Sequence, residues 1–284
     1  SLAESGPIQA TLDFFMYDEV LASALSYRPG CREAMEATMR AVDYIWKVGT
    51  QSQRDNLKKA FNASFLIGTA QGDTDFLYFL GDSVASSVQY GAKAAVCDHL
   101  ARLPAQPTVQ EYLDNWRRYV YEVLGPSAAS NGCFYNSDCM SQSVGGTSAR
   151  SWYWLKCSEL AYLQTAEQSS ASSPVRPSGL TVKRLLAQCS YIFGRTLPDQ
   201  PRCDDFNNIF GGLHPETKNQ TNVGYFVFSD DPWKPAQPSS DLGPSLPVVY
   251  TECDGCAHCG AGVPPKKIAE LSRKKIDFLK SWLG

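Results

Sequence analysis

The side chains best placed to do chemistry lie in two short stretches near the C-terminus. Residues 223–233 read V-G-Y-F-V-F-S-D-D-P-W, and residues 253–260 read C-D-G-C-A-H-C-G. Asp230 and Asp231 end an apolar run of strand type, and His258 follows a second such run. Parallel strands that end side by side deliver such groups to one edge of a sheet. There a carboxylate can fix the tautomer of an imidazole, and the imidazole can act as general base and acid. Asp231 precedes Pro232, which biases it toward extended backbone, whereas Asp230 suits a turn cap. Ordinary turn formation would account for both carboxylates as well. Of the other histidines, His99 falls in a helical stretch near Cys97 and His214 in a G-G-L-H-P loop, and both read as structural or exposed.

Cys253, Cys256, His258 and Cys259 also have the composition of a zinc site. Structural zinc sites draw on separated ligand pairs that can surround the ion, and adjacent His258 and Cys259 chelate poorly, so disulfides are the expected use of these cysteines. A nucleophile is harder to place, because the chain has no G-x-S-x-G. Gly81-Asp82-Ser83-Val84-Ala85 follows F-L-Y-F-L and could form a strand-turn-helix elbow with Ser83 as nucleophile. Residues 74–91 read equally as one continuous helix with Ser83 in its interior.

The bulk properties narrow the function classes. The chain has 284 residues, 43% of them hydrophobic, and a formal charge of -3, enough for a substantial core and without the basic footprint of a nucleic-acid binder. No apolar run approaches the ~18 residues of a membrane span. The 10 cysteines and the sequons at Asn62 and Asn219 point to the secretory pathway, with disulfides and glycosylation. A secretory-pathway protein is expected.

The elements that must position these groups are mostly helical. Met35, Met39, Val42 and Trp46 make one face of a helix that Gly49 ends, and a polar helix is expected over 53–61. Thr108 to Glu111 is a capping box for a helix buried through Val109, Leu113, Trp116, Val120 and Val123, stopping at Gly125-Pro126. Residues 127–147 read as a loop that Cys133 and Cys139 could staple, residues 148–165 as a buried aromatic helix, 169–178 as a linker-like loop and 180–193 as a helix. Strands are expected at 223–228 and 247–251, with a short one turning into a loop at the start. Residues 266–283 read as an amphipathic helix buried through Ile268, Leu271, Ile276, Leu279 and Trp282. Two or three strands do not make an α/β sheet, so the remaining strands are expected from sequence before Ser1.

The opening A-E-S-G-P-I-Q-A, V-Q-Y-G, W-Y-W-L-K-C-S-E-L-A-Y-L-Q-T, D-P-W after a strand and A-H-C before the last helix together resemble the proline-specific serine peptidases typified by lysosomal Pro-X carboxypeptidase and dipeptidyl peptidase II. That resemblance implies an α/β fold: the C-terminal part of an α/β-hydrolase with a large inserted helical cap. Residues 1–29 would follow the nucleophile segment, 30–205 form the cap, and 206–284 carry the acid and the histidine. It further implies a nucleophilic serine upstream of this chain, Ser83 in the cap, Asp231 as triad acid and His258 as base. Trp233 would wall a proline pocket, and Trp154 and Glu159 would flank the substrate channel. Cys31 with Cys97 and Cys157 with Cys189 are the disulfides it suggests, the remaining pairing being open. The implied activity is hydrolysis after proline by an exopeptidase, with this fragment alone inactive. The alternatives are a catalytically inactive secreted binding protein on the same scaffold and a hydrolase using Ser83 as nucleophile. The location that the resemblance implies is secreted or lysosomal. No cofactor is expected. The implied partners are a peptide with proline at the cleaved position and the N-terminal half of the same protein, with a homodimer admitted and neither nucleic acid nor membrane. Two departures stand out. S-D-D-P-W is shorter than the family's N-G-x-x-D-P-W, and Cys259 replaces the partner often found after the histidine.

Overall fold

A computed structural model describes residues 1–130, 132–142, 148–166, 173–194 and 197–284. The fold is mixed α/β, with a small parallel sheet beside a much larger helical body. The strands are β1 (Leu2–Glu4), β2 (Thr11–Asp13), β3 (Ala161–Leu163), β4 (Gly224–Phe228) and β5 (Val248–Thr251). The helices are α1 (Met16–Leu25), α2 (Cys31–Val48), α3 (Gln51–Ala60), α4 (Gly72–Gln89), α5 (Lys93–Leu100), α6 (Val109–Tyr119), α7 (Ser137–Gln142), α8 (Ser148–Leu155), α9 (Val182–Phe193), α10 (Cys203–Phe210) and α11 (Pro265–Leu283).

The sheet runs β1-β4-β5, all parallel, with Leu2 opposite Gly224 and Phe228 opposite Thr251. Every residue of the central strand β4 is buried, the usual state of a parallel strand covered on both faces. Helix α11 covers one face: a Cβ at Gly224 would meet the Phe278 and Trp282 rings at 3.2 and 3.4 Å. Its packed stripe is Leu271, Lys275, Phe278 and Trp282, while Ile268, Ile276 and Leu279 are exposed, which corrects the stripe expected from sequence. A three-stranded sheet is too narrow to cover a wider band of the helix, and Lys275 joins that band by lying over the Phe226 ring.

The helical body has its own core, in which Met35, Met39, Phe76, Leu80, Trp116 and Tyr119 are all buried. The capping boxes at Thr50/Gln53 and Thr108/Glu111 start α3 and α6, and α6 ends in a π-helical turn at Val120–Leu124 before Gly125. Residues 148–165 are not one helix. α8 passes into a π-helical turn, Lys156–Leu160, and Ala161 and Tyr162 then take positive φ and enter β3, which pairs in parallel with β2. Pairing between residues so far apart in sequence overrides the local helical pattern. Of the stretch expected as a linker, residues 169–172 lie outside the described residues, and Pro174 to Pro177 are buried rather than exposed. Disulfides join Cys31 to Cys97, Cys133 to Cys139, Cys157 to Cys189 and Cys253 to Cys256, leaving Cys203 and Cys259 as free thiols.

Candidate active site

The turn after β4 separates the two carboxylates. Asp230 Oδ2 accepts from Gly255 N–H at 2.8 Å and from the Lys93 ammonium at 2.7 Å, and Lys93 also pairs with Asp254. Asp230 thereby ties the β4 turn to the β5 turn and to the start of α5. Asp231 turns inward and is completely buried. Its Oδ1 accepts from Trp233 N–H at 3.0 Å and faces His258 Nδ1 at 3.1 Å, while its Oδ2 accepts from the Gln237 amide at 3.0 Å. Both oxygens are satisfied, as a buried carboxylate requires. With Nδ1–H donating to Asp231, the accepting Nε2 is the free face of the His258 ring, the arrangement a general base needs.

His258 is held by its loop. The Cys253–Cys256 disulfide closes the turn before it, and Gly262 approaches Gly255 so closely that a Cβ there would lie 2.1 Å from the Gly255 carbonyl oxygen. After it, Cys259 takes a positive φ and donates its N–H to Ser5 Oγ at 2.8 Å, and Ser5, itself at positive φ, lies directly after β1. Sequence reading missed this role of Ser5, and the only signal was its place before the Gly6-Pro7 breaker. With Cys253 and Cys256 bonded to each other, the zinc arrangement does not form. Among the described residues no group of His, Cys, Asp and Glu side chains is arranged to hold a metal.

His258 borders a cavity of about 400 Å³ lined by Tyr17, Tyr78, Phe134, Trp152 and Trp233, with Asp82, Gln89 and Gln164 among its polar walls. The Trp233 ring packs edge-on to Tyr17 and Tyr162 at 5.6 and 5.2 Å, and its indole N–H donates to Gln89 Oε1 at 3.0 Å. This is an apolar box with fixed polar points, the form of a small-ligand or side-chain pocket. The aromatic helix contributes Trp152 to it. Trp154 instead packs on Phe193 and is 42% exposed, and Glu159 pairs with Arg202 beside a separate groove on α10. The structure therefore brings together Asp231, His258 and Trp233 and leaves Trp154 and Glu159 elsewhere.

Ser83 lies inside α4 and is 2% exposed. Its hydroxyl donates to the Leu80 carbonyl and accepts from the Trp116 indole, so the strand-turn-helix elbow considered for it is absent. His99 is engaged at both ring nitrogens, by the Ala95 carbonyl and Glu122, and His214 is exposed beside Glu216. The side chains of Asn62 and Asn219 are both exposed.

A sequence model of the family described as serine carboxypeptidase S28 matches residues 1–272. The chain belongs to the serine carboxypeptidase S28 family. It is 23% identical to the thymus-specific serine protease of Mus musculus over 312 residues, covering 100% of the chain and 58% of that relative. The human thymus-specific serine protease is 25% identical, with 100% and 58% covered. A Caenorhabditis elegans protein whose name proposes a serine protease is 26% identical, with 93% and 53% covered. The chain thus spans little more than half the length of these relatives. At this level of identity the pairing of Asp231 with His258 is evidence that the geometry supplies and a percentage does not.

Proposed function

We propose that this chain carries the acid and the base of a serine peptidase that hydrolyses peptide bonds after proline. The observation that supports the reading is the fully buried Asp231 carboxylate on His258 Nδ1, with the imidazole opening onto the aromatic cavity beside Trp233. Asp231 orients His258. The free Nε2 takes the proton of a serine hydroxyl as that oxygen attacks the prolyl carbonyl, and returns it to the leaving amine. Water then repeats the cycle on the acyl-enzyme. The nucleophile and the oxyanion donors come, in this reading, from the N-terminal half of the protein, and Ser83, locked in α4, does not supply the attacking oxygen. The flat, rigid faces of Trp233 and Tyr17 suit a proline ring.

In this reading the sheet β1-β4-β5 is the closing part of an α/β-hydrolase domain, residues 1–29 and 206–284, and residues 30–205 form its cap. Four disulfides fit an oxidising compartment, and no helix among the described residues is long and apolar enough to cross a membrane. In this reading the protein belongs to the secretory pathway, secreted or lysosomal, and carries glycans on Asn62 and Asn219, a reading that the disulfides support. Fluorophosphonate labelling of the full-length protein, followed by mapping of the adduct, tests the assignment. We expect the adduct on a serine outside residues 1–284 and its loss in His258→Ala. An adduct on Ser83, or labelling indifferent to His258, would overturn it.

A further inference from the structure

Along α4, Tyr78, Asp82 and Ser86 recur every four residues and present one face to the cavity that His258 borders. Asp82, Ser86, Tyr90 and Phe134 also line a second cavity of about 520 Å³ on the other side of that ridge. Among the described residues, Asp82 and His258 are the only charge-bearing side chains in the first lining, and Asp82 is the only one in the second. The carboxylate is anchored from one side: Oδ2 accepts from the Tyr135 hydroxyl, and among the described residues no hydrogen bond occupies Oδ1.

The positive groups near Asp82 lie behind it. Arg176 is completely buried under Gly81, where a Cβ would come within 3.0 Å of its Nε, and Lys156 is buried with its ammonium donating to the Tyr78 hydroxyl at 3.0 Å. Neither lines either cavity. Burial holds the Asp82 carboxyl above the ordinary carboxylate range, and the Tyr135 hydroxyl, Arg176 and Lys156 oppose that rise only in part. A ligand entering from the His258 side therefore meets the negative end of this arrangement, with the cations shielded by protein.

We propose that Asp82 is the specificity-determining group of the groove, selecting a peptide that carries an ammonium near the prolyl residue seated against Trp233. This rests on the reading of the His258 cavity as a peptide site. The ammonium has two chemical sources, a free α-amino terminus or a lysine side chain.

Calorimetric binding to the full-length protein, with His258→Ala throughout to prevent turnover, separates these sources. The probes are Ala-Pro-Phe, N-acetyl-Ala-Pro-Phe and N-acetyl-Lys-Pro-Phe. We expect at least one cationic peptide to bind about tenfold or more tighter than the neutral one, the scale of one charge-assisted hydrogen bond. Asp82→Asn should abolish that preference, and Asp82→Glu and Tyr135→Phe should keep it. Preference for the first peptide assigns the α-amine, and preference for the third assigns the side chain. Equal binding of all three with Asp82 intact overturns the proposal without any substitution, as does a preference that survives Asp82→Asn. Failure of every peptide to bind would overturn the peptide-site reading itself, and this proposal with it.

Discussion

All three histidines in this molecule sit against carboxylates at nearly the same distance; His214 does so at the exposed surface, and the other two, with shielded rings, make the instructive pair. His258 Nδ1 lies 3.1 Å from Asp231, and His99 Nε2 lies 2.9 Å from Glu122. Their surroundings differ. Asp231 is 0% exposed and fixed by two further donors, whereas Glu122 is 51% exposed and shared with Arg102. His99 spends its other nitrogen on the Ala95 carbonyl and packs its ring on Tyr119, so it has no free face. His258 keeps Nε2 toward a cavity. A His–carboxylate contact is thus a necessary part of a proton-transfer site and a poor diagnostic of one. The second nitrogen and the burial of the acid separate the two cases.

Substitutions in the full-length protein can break that contrast. His258→Ala should lower kcat for a prolyl substrate by about 10^6-fold with the fold retained. His99→Ala should leave kcat within twofold while lowering stability by about 1 to 2 kcal/mol, through lost hydrogen bonds and packing. Equal activity losses in the two variants would erase the distinction. A step below this, Asp231→Asn should cost about 10^4-fold in kcat by favouring the wrong tautomer of His258. Glu122→Gln should be silent in the same steady-state assay.

A third carboxyl sharpens the role of hydrogen bonding. Asp18 is buried like Asp231, yet among the described residues it receives only the Val175 N–H and leaves Oδ1 without a partner. Burial pushes its carboxyl up to about 7, against the opposing pull of Arg176 and that N–H. The folded state therefore holds a proton between about pH 4 and 7 that the unfolded chain has released, so stability is greater at low pH and falls as pH rises through that window. Thermal melts should show a higher Tm at pH 5 than at pH 7. Asp18→Asn should remove up to about 1.4 kcal/mol of that difference per pH unit. The smallest effect is expected at Asp230→Asn, which loosens the Lys93 tie between the two turns. It should reduce kcat less than about tenfold, because Asp230 acts only by positioning. A loss as large as that of Asp231→Asn would reverse the assignment of the two carboxylates.

Much of the frame was legible in the residues because it depends on local chemistry. Thr108 and Glu111 start α6 as a capping box, and the apolar runs of β4 and β5 end one and five residues short of the D-D-P-W and A-H-C motifs. Residues 148–165 misled because aromatic and helix-forming residues carry no mark of the turn at Ala161 and Tyr162, which only pairing of β3 with β2 imposes. The cavity misled for a related reason: W-Y-W offers two tryptophans, and the π-helical turn and the packing on Phe193 put Trp152, rather than Trp154, on its wall. Ser5 and Asp82 lie inside stretches read for other reasons, the opening A-E-S-G-P-I-Q-A and the Ser83 elbow, and escaped notice because their roles arise from contacts across 254 and 53 residues of sequence.

The sequence by itself determined which residues could supply an acid, a base and an aromatic wall. It also determined that strands would carry the first two, since residue type, apolar periodicity and the proline after Asp231 are local facts. Only the tertiary structure turned Asp231 toward His258 and Asp230 toward Gly255 and Lys93, and left one nitrogen of His258 without a hydrogen bond among the described residues. It also withdrew Ser83 into a helix and set Asp82 beside the histidine, because burial and hydrogen-bond partners are properties of residues brought together from distant parts of the chain.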